Sequence, residues 1–290
     1  MKVYIDGVAG TTGLALEGRL QNLNVELLKL PESLRKDLNS RKKLLNEADV
    51  VFLCLPDEAA KEALSLITNP LTVVIDASTA HRTDPDWAYG FPELSKAHCE
   101  TIKTANRIAV PGCHATGVIA LAYPLIAGGF IHKDDVLACQ SLTGYSGGGK
   151  AMIETYENAQ QTAAKLYSMD LTHKHLPEIQ AITGLTQPPI FTPVIVPTHQ
   201  GMIVTLPLAQ NAQELWEYLK GYYKNSGTIK VMPYGERTAL EIENELNADE
   251  LEIYVFGHEK QAVLAARLDN LGKGSSGAAL QCMKVRMGIT

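Results

Sequence analysis

Cysteine is scarce and spaced for neither disulfides nor metal. The five cysteines, at 54, 99, 113, 139 and 282, are scattered, odd in number and without a C-x-x-C pair, so neither a disulfide framework nor a zinc site is expected. Long apolar runs are missing as well. The longest weakly polar stretch, Gly117 to Ile131, contains Pro124 and a glycine pair and is too short to span a bilayer. The first residues open directly into a strand with no charged leader and cleavage site, and a cytoplasmic protein is expected. Excess basic charge is absent: the net charge is −6, which speaks against a phosphate-backbone partner. Neither nucleic acid nor membrane is expected as a partner. No repeat or low-complexity tail is visible. What is present is a composition 46% hydrophobic and 20% charged, ordinary for a globular enzyme or binding protein, in a chain long enough for two cores.

The first hundred residues alternate strand and helix patterns. Val3 to Asp6 reads as a strand, GVAGTTG follows at 7–13, and Leu14 to Leu20 has helical apolar spacing. Strand, glycine loop and helix in that order can cradle a pyrophosphate on backbone amides, with Gly7, Gly10, Thr11, Thr12 and Gly13 as the contacts. The spacing is G-x-x-G-x-x-G rather than G-x-G-x-x-G, and a plain βα turn is the competing reading. The next strand, Val25 to Leu30, lacks the terminal acid that would hold a ribose 2′-hydroxyl. Arg35, Lys36, Arg41 and Lys42 follow it, suiting a 2′-phosphate and hence NADP, or else forming a solvated helix face. Ala48 to Pro56 and Leu71 to Asp76 read as buried strands around an amphipathic helix, Glu58 to Thr68, which indicates a parallel sheet wound with helices. DASTAHR at 76–82 sits at a strand's carboxyl end, where such sheets place ligands. There Ser78 could touch cofactor and Arg82 a phosphate, unless both are capping or surface residues.

Pro111-Gly112-Cys113-His114-Ala115-Thr116-Gly117 organises the rest. The Pro-Gly turn ends what precedes it, and Val118 to Ile126 continues as a buried helix. Cys113 is thereby expected near a helix N-terminus, where a thiolate is favoured and can attack carbon. A small buried hydrophobe is the alternative.

Further on, Val136 to Thr143 reads as a strand, and Gly144 to Lys150 is either a ligand loop or a flexible linker. Ala151 to Tyr167 has the pattern of an amphipathic helix. His173 and His175, before a Pro-started helix carrying Glu178, could supply a general acid or base with Glu178 as orienter. No partners at ligand spacing support a metal. Later strands, at 190–196, 202–208, 228–232, 251–257 and 262–268, are joined by tight turns with few crossover helices, which suggests an α+β domain. A final glycine-rich loop, 269–277, leads into a helix ending near Met287.

Together GVAGTTG (7–13), DASTAHR (76–82), YGFPEL (89–94), VPGCHATG (110–117), HKHLPEI (173–179), FTPVIVPTHQG (191–201) and DNLGKGSSGAALQCM (269–283) resemble the N-acetyl-gamma-glutamyl-phosphate reductase family in its shorter, type 2 form. The likeness to aspartate-semialdehyde dehydrogenase is more distant, since there the cysteine follows an Asn-rich turn. The resemblance implies an α/β protein: a Rossmann-type NADP domain over 1–112 plus 270–290, and an α+β catalytic and dimerisation domain over 113–269. It implies NADPH-dependent reduction of an acyl phosphate through a Cys113 thioester, in arginine biosynthesis. It further implies acid/base work by His173 or His175, with Ser146, Gly147, Gly148 and Asn270 at the nicotinamide side, in a homodimer or homotetramer. Arg82 and Arg107 are candidates for the leaving phosphate on charge and position alone, with Glu178 nearby. His114 and Ala115 stand where the longer form has Tyr-Pro. A reductase for a related acyl phosphate of lysine synthesis differs by about one methylene, worth only ~1–3 kcal/mol in a pocket. A dinucleotide sensor without chemistry would have no use for Cys113, the histidine pair and Glu178 together.

Overall fold

Short apolar strands alternating with amphipathic helices can bury both sheet faces only if the helices cover them, and the first of two units is built that way. The computed structural model describes residues 1–158, 163–242 and 249–289. It divides into Met1–Pro111 with Ser275–Thr290, and Gly112–Gly274. In the first unit, β1 (Lys2–Asp6), α1 (Thr11–Leu20), β2 (Glu26–Leu28), α2 (Leu38–Glu47), β3 (Val50–Leu53), α3 (Asp57–Ser65), β4 (Val73–Asp76), β5 (Ala88–Tyr89), α4 (Lys96–Thr104) and β6 (Arg107–Ala109) follow in order. The sheet runs β2-β1-β3-β4-β6-β5 with every pair parallel. Side chains alternate between two cores, as a period of two requires. Val3, Ile5, Val50 and Phe52 enter one core, and Tyr4, Val51 and Leu53 the other. Each large apolar side chain so buried contributes about 1.5–3 kcal/mol. The C-terminal helix (Gly277–Met287) returns to the first core, where Ala278, Ala279, Cys282 and Met283 pack with Leu16 and Ile102.

The second unit contains α5 (Cys113–Ala127), β7 (Ala138–Gly144), α6 (Lys150–Asn158), β8 (Lys165–Leu166), α7 (Leu176–Thr183), β9 (Ile190–Val196), β10 (Met202–Leu208), α8 (Ala212–Tyr222), β11 (Ile229–Val231), β12 (Leu251–His258) and β13 (Gln261–Leu268). Its mixed sheet runs β11-β12-β13-β10-β7-β9-β8; β11/β12 and β7/β9 are parallel and the other pairs antiparallel. Helix α5 is buried from His114 through Ala122, so it has no polar face and lies inside the unit, against β10 and β13. Among the described residues no helix is long and apolar enough to cross a membrane.

One element departs from expectation. Of the helix expected over 151–167, Lys150–Asn158 is helical and 159–162 lie outside the described residues. Lys165 and Leu166 instead form an edge strand paired antiparallel with Ile195 and Val194. The Tyr167 amide then bonds Pro193 O at 3.2 Å. A non-local partner strand outweighs a local helical pattern here.

Candidate active site

In the first unit, β1 runs into Gly7 at φ +92°, where a Cβ would sit 2.3 Å from the Cys54 carbonyl oxygen. Only glycine fits that approach. Gly10 caps α1 with extended backbone and no side-chain cap, and Leu14 makes the first intrahelical bond, to Gly10 O. The amides of Thr11, Thr12 and Gly13 therefore belong to the turn that a helix leaves unpaired, the arrangement that binds a phosphate. The Thr12 hydroxyl meets Ser275 Oγ at 2.9 Å. Beside this loop lies a cleft of about 770 Å³ whose lining includes Asp6, Gly7, Gly10, Leu30, Arg35 and Lys36. A dinucleotide's adenosine end fits a cleft of that size.

The basic residues after β2 sort themselves by partner. Arg41, expected among those facing a 2′-phosphate, is buried and bonds Asp6 at 2.8 Å and Glu62 at 3.0 Å. It is a cross-link under the loop, because a buried guanidinium needs its carboxylates. Arg35 pairs with Glu32 and Lys29 with Glu17. Lys36 lines the cleft and makes no ion pair among the described residues.

At the carboxyl end of β4, Asp76 accepts from the Ser78 hydroxyl at 2.7 Å and meets His81 Nδ1 at 2.6 Å. His81 is stacked on Trp87 at 4.1 Å. Ser78 Oγ also accepts from the Ala80 amide, so its hydroxyl serves this turn. Arg82 donates to the carbonyls of Val110 and Ala77 at 2.8 and 3.0 Å. Arg107, the other candidate for the leaving phosphate, opens β6, at the amino end of a parallel sheet, and donates to the carbonyls of Thr72 and Asn106. Ligand loops of such sheets are at the other end.

In the second unit, Cys113 is the first residue of α5, Gly112 is its N-cap, and its thiol is half-buried. The Gly112 amide donates to Glu178 Oε1 at 2.8 Å. Glu178, almost wholly buried in the first turn of α7, thus fixes the turn that delivers the thiol. A group of three histidines is centred on His114, the residue that follows Cys113 in α5. The His114 ring lies 5.2 Å from that of His173 and 5.5 Å from that of His175, and the latter two are 4.8 Å apart. His114 is buried, with Ser141 Oγ 2.7 Å from Nδ1 and Tyr167 Oη 2.8 Å from Nε2. Burial, with help from His173 and Lys174, lowers its pKa to about 3. His173 is lowered to about 4, by burial and then Lys174. Its Nδ1 accepts from the His175 amide at 3.1 Å, which assigns its proton to Nε2. Burial pushes the Cys54 and Cys139 thiols up to about 12. No cluster that could hold a metal ion occurs among the described residues.

The loops expected to serve the nicotinamide are tied together. Asn270 donates to Ser146 Oγ at 3.0 Å and accepts from the Gly201 amide at 2.8 Å, which holds the 3₁₀ turn Tyr145–Gly148 against the turn before β10. A π-helical segment starts at Gly272, a form frequent at functional sites. Within it, a Cβ on Gly274 would lie 2.8 Å from Cys113 Cβ. Sequence reading missed Tyr167, Ser141 and Gly274. Tyr167 was hidden in the misread helix, and the other two carry no local signal.

Residues 31–102 match the family profile of the semialdehyde dehydrogenase NAD-binding domain, and residues 113–270 that of the semialdehyde dehydrogenase dimerisation domain. N-acetyl-gamma-glutamyl-phosphate reductase of Burkholderia lata is 40% identical over 99% of this chain and 96% of its own. N-acetyl-gamma-glutamyl-phosphate reductase 2 of Pseudomonas putida is 42% identical over the same shares, 99% and 96%. Among solved structures, aspartate semialdehyde dehydrogenase II of Vibrio cholerae matches with a TM-score of 0.72 at 18% identity, over 99% of this chain and 98% of that one, a likeness of fold.

Proposed function

The chain belongs to the N-acetyl-gamma-glutamyl-phosphate reductases of the semialdehyde dehydrogenase family, and from that premise we propose that it reduces N-acetyl-gamma-glutamyl phosphate to N-acetylglutamate semialdehyde, a step of arginine biosynthesis. The observation that carries the reading is Cys113 at the start of α5, its N-cap amide held by buried Glu178 and the next residue, His114, packed against His173 and His175. The helix terminus favours the thiolate. That thiolate attacks the acyl carbon, the C–O bond to phosphate breaks, and a thioester remains on Cys113. NADPH, when bound, supplies the hydride that reduces the thioester to the aldehyde. Gly7, Gly10, Thr11, Thr12 and Gly13 hold the pyrophosphate in this reading, Lys36 the 2′-phosphate, and Asn270 with the 146–148 turn the nicotinamide side. Proton transfer falls to His173 or His175, and His173, whose Nδ1 accepts from the His175 amide, would act through Nε2. Glu178 orients the nucleophile's turn, and Arg82 stays the candidate for the leaving phosphate. The dimerisation-domain match supports an oligomer, which we read as a homodimer.

The test runs the reaction backwards, with the purified protein given N-acetylglutamate semialdehyde, phosphate and NADP. Reduction of NADP by the wild type and none by Cys113→Ser is the expected result. A Cys113→Ser variant with wild-type turnover would remove the covalent step, and no turnover by either would remove the substrate.

A further inference from the structure

We propose that Tyr167 is an oxyanion donor of this site: its O–H hydrogen-bonds the acyl oxygen of substrate carried on Cys113, aimed there by a relay from Ser141 through His114. The proposal rests on Cys113 being the nucleophile.

The relay has a direction, and burial sets it. Ser141, on β7, is fully buried, and His114 Nδ1 is the partner of its hydroxyl among the described residues. If the hydroxyl accepted from Nδ1–H, its own proton would be left without an acceptor in the interior, which costs ~1–3 kcal/mol. Ser141 therefore donates and Nδ1 accepts. A neutral imidazole has one N–H, and His114 is neutral in its buried setting. Its proton is thus on Nε2 and is donated to Tyr167 Oη, 2.8 Å away. The phenol oxygen is an acceptor in this chain, so the phenol's own proton is not spent on His114. No other side chain or backbone group takes it among the described residues.

That proton is offered beside the nucleophile. His114 follows Cys113 directly in the first turn of α5, and Tyr167 is within electrostatic reach of Cys113. Burial first, and the Cys113 charge second, make Tyr167 a weaker acid than an ordinary phenol, so it keeps its proton and acts by hydrogen bonding alone. The titratable groups around this helix start are His114, Tyr167, His173, His175 and Glu178, with Lys174 adjoining. Lys273, next to Gly274, is buried and bonds Thr228 Oγ1. When the sulfur attacks, the carbonyl π pair moves onto oxygen, and the phenol stabilises that charge without transferring its proton. The pair returns as phosphate departs with the C–O electrons. The same stabilisation serves reduction of the thioester. Ser141 and His114 touch no reacting atom and are positioning residues.

The test compares Tyr167→Phe, Ser141→Ala and Ser141→Thr with wild type in the semialdehyde, phosphate and NADP assay, beside iodoacetamide alkylation of Cys113, which forms no oxyanion. Tyr167→Phe should lose about 10²–10³-fold in kcat with little change in KM, as removal of one oxyanion donor does. Its alkylation rate should stay within about twofold of wild type, a bound set well below that effect. Ser141→Ala should fall in the same direction, and Ser141→Thr, which restores the hydroxyl, should recover. Wild-type kcat in Tyr167→Phe overturns the proposal, as does an equal loss in turnover and alkylation, which would mark a purely structural role. If Tyr167→Phe does not fold, the Ser141 pair decides: equal activity in Ala and Thr variants overturns the relay. Failure of the nucleophile reading has a separate signature, an active Cys113→Ser.

Discussion

Replacing Gly274 with alanine is expected to disable the site while leaving the fold standing. The added Cβ would lie 2.8 Å from Cys113 Cβ, 3.2 Å from its Cα and 3.1 Å from Asp269 O, whereas carbons in contact rest at about 3.5–4.0 Å. Relief therefore needs a shift of roughly 0.7–1.2 Å on that contact scale. None of the three neighbours is the free end of a side chain. Cys113 is anchored by the first turn of α5, and Asp269 O accepts from the Gly274 amide at 2.9 Å. Overpacking of this kind costs about 1–3 kcal/mol, a fall of several degrees in Tm for a chain this size. The catalytic cost is larger, since displacing a reacting group by ~1 Å costs about 10²-fold. The assay is kcat/KM in the semialdehyde, phosphate and NADP direction, with a melt of the same samples. The control is Gly18→Ala in α1, where a Cβ meets nothing within 4 Å and a gain of about 0.5–1 kcal/mol is expected. A Gly274→Ala protein with wild-type kcat and Tm would refute the claim that this backbone sets the nucleophile's position.

Stability should fall with acid in a window set by the imidazoles. His173 and His114 are lowered from 6.5 to about 4 and about 3 when folded, so below about 6.5 the unfolded chain takes up protons that the native state refuses. The stabilisation is whole above that pH and is lost as pH drops toward 4, at up to ~1.4 kcal/mol per pH unit and histidine. Melts of wild type and His173→Gln across this range check it, and identical slopes would contradict it. Lys36→Ala should weaken NADPH binding by about 10-fold or more, the worth of a charge-assisted bond, and leave NADH binding nearly unchanged. Fluorescence titration of both nucleotides measures this, and equal losses would show that Lys36 does not read the 2′-phosphate.

Features written in neighbouring residues were legible, and those made by distant ones were not. The strand, glycine loop and helix at 2–20 follow from apolar spacing and from glycine at a positive φ, and Pro111-Gly112 announces the helix that Cys113 begins. The mixed sheet of the second unit was legible as a class, because tight turns and few crossover helices between the later strands favour antiparallel neighbours, whereas the parallel pairs β7/β9 and β11/β12 carry no local signal. Arg41 shows where such reading stops. Its neighbours Lys42 and Lys43 make the segment look like a solvated basic face, yet Asp6, on a strand far back in the chain, captures the guanidinium in the interior. Only the pairing of β1 with its neighbours brings that acid near. Charge is equally silent about which end of a strand a residue such as Arg107 occupies. Tyr167 combines both difficulties: it directly follows β8, an edge strand that exists only by pairing with β9, and its hydroxyl meets His114 of α5, more than fifty residues back in the chain. Each part of the Ser141–His114–Tyr167 chain comes from a different element, so no window of sequence contains it. The same dispersal makes it sensitive to single substitutions, since losing any one hydroxyl or ring breaks a path with no parallel branch among the described residues.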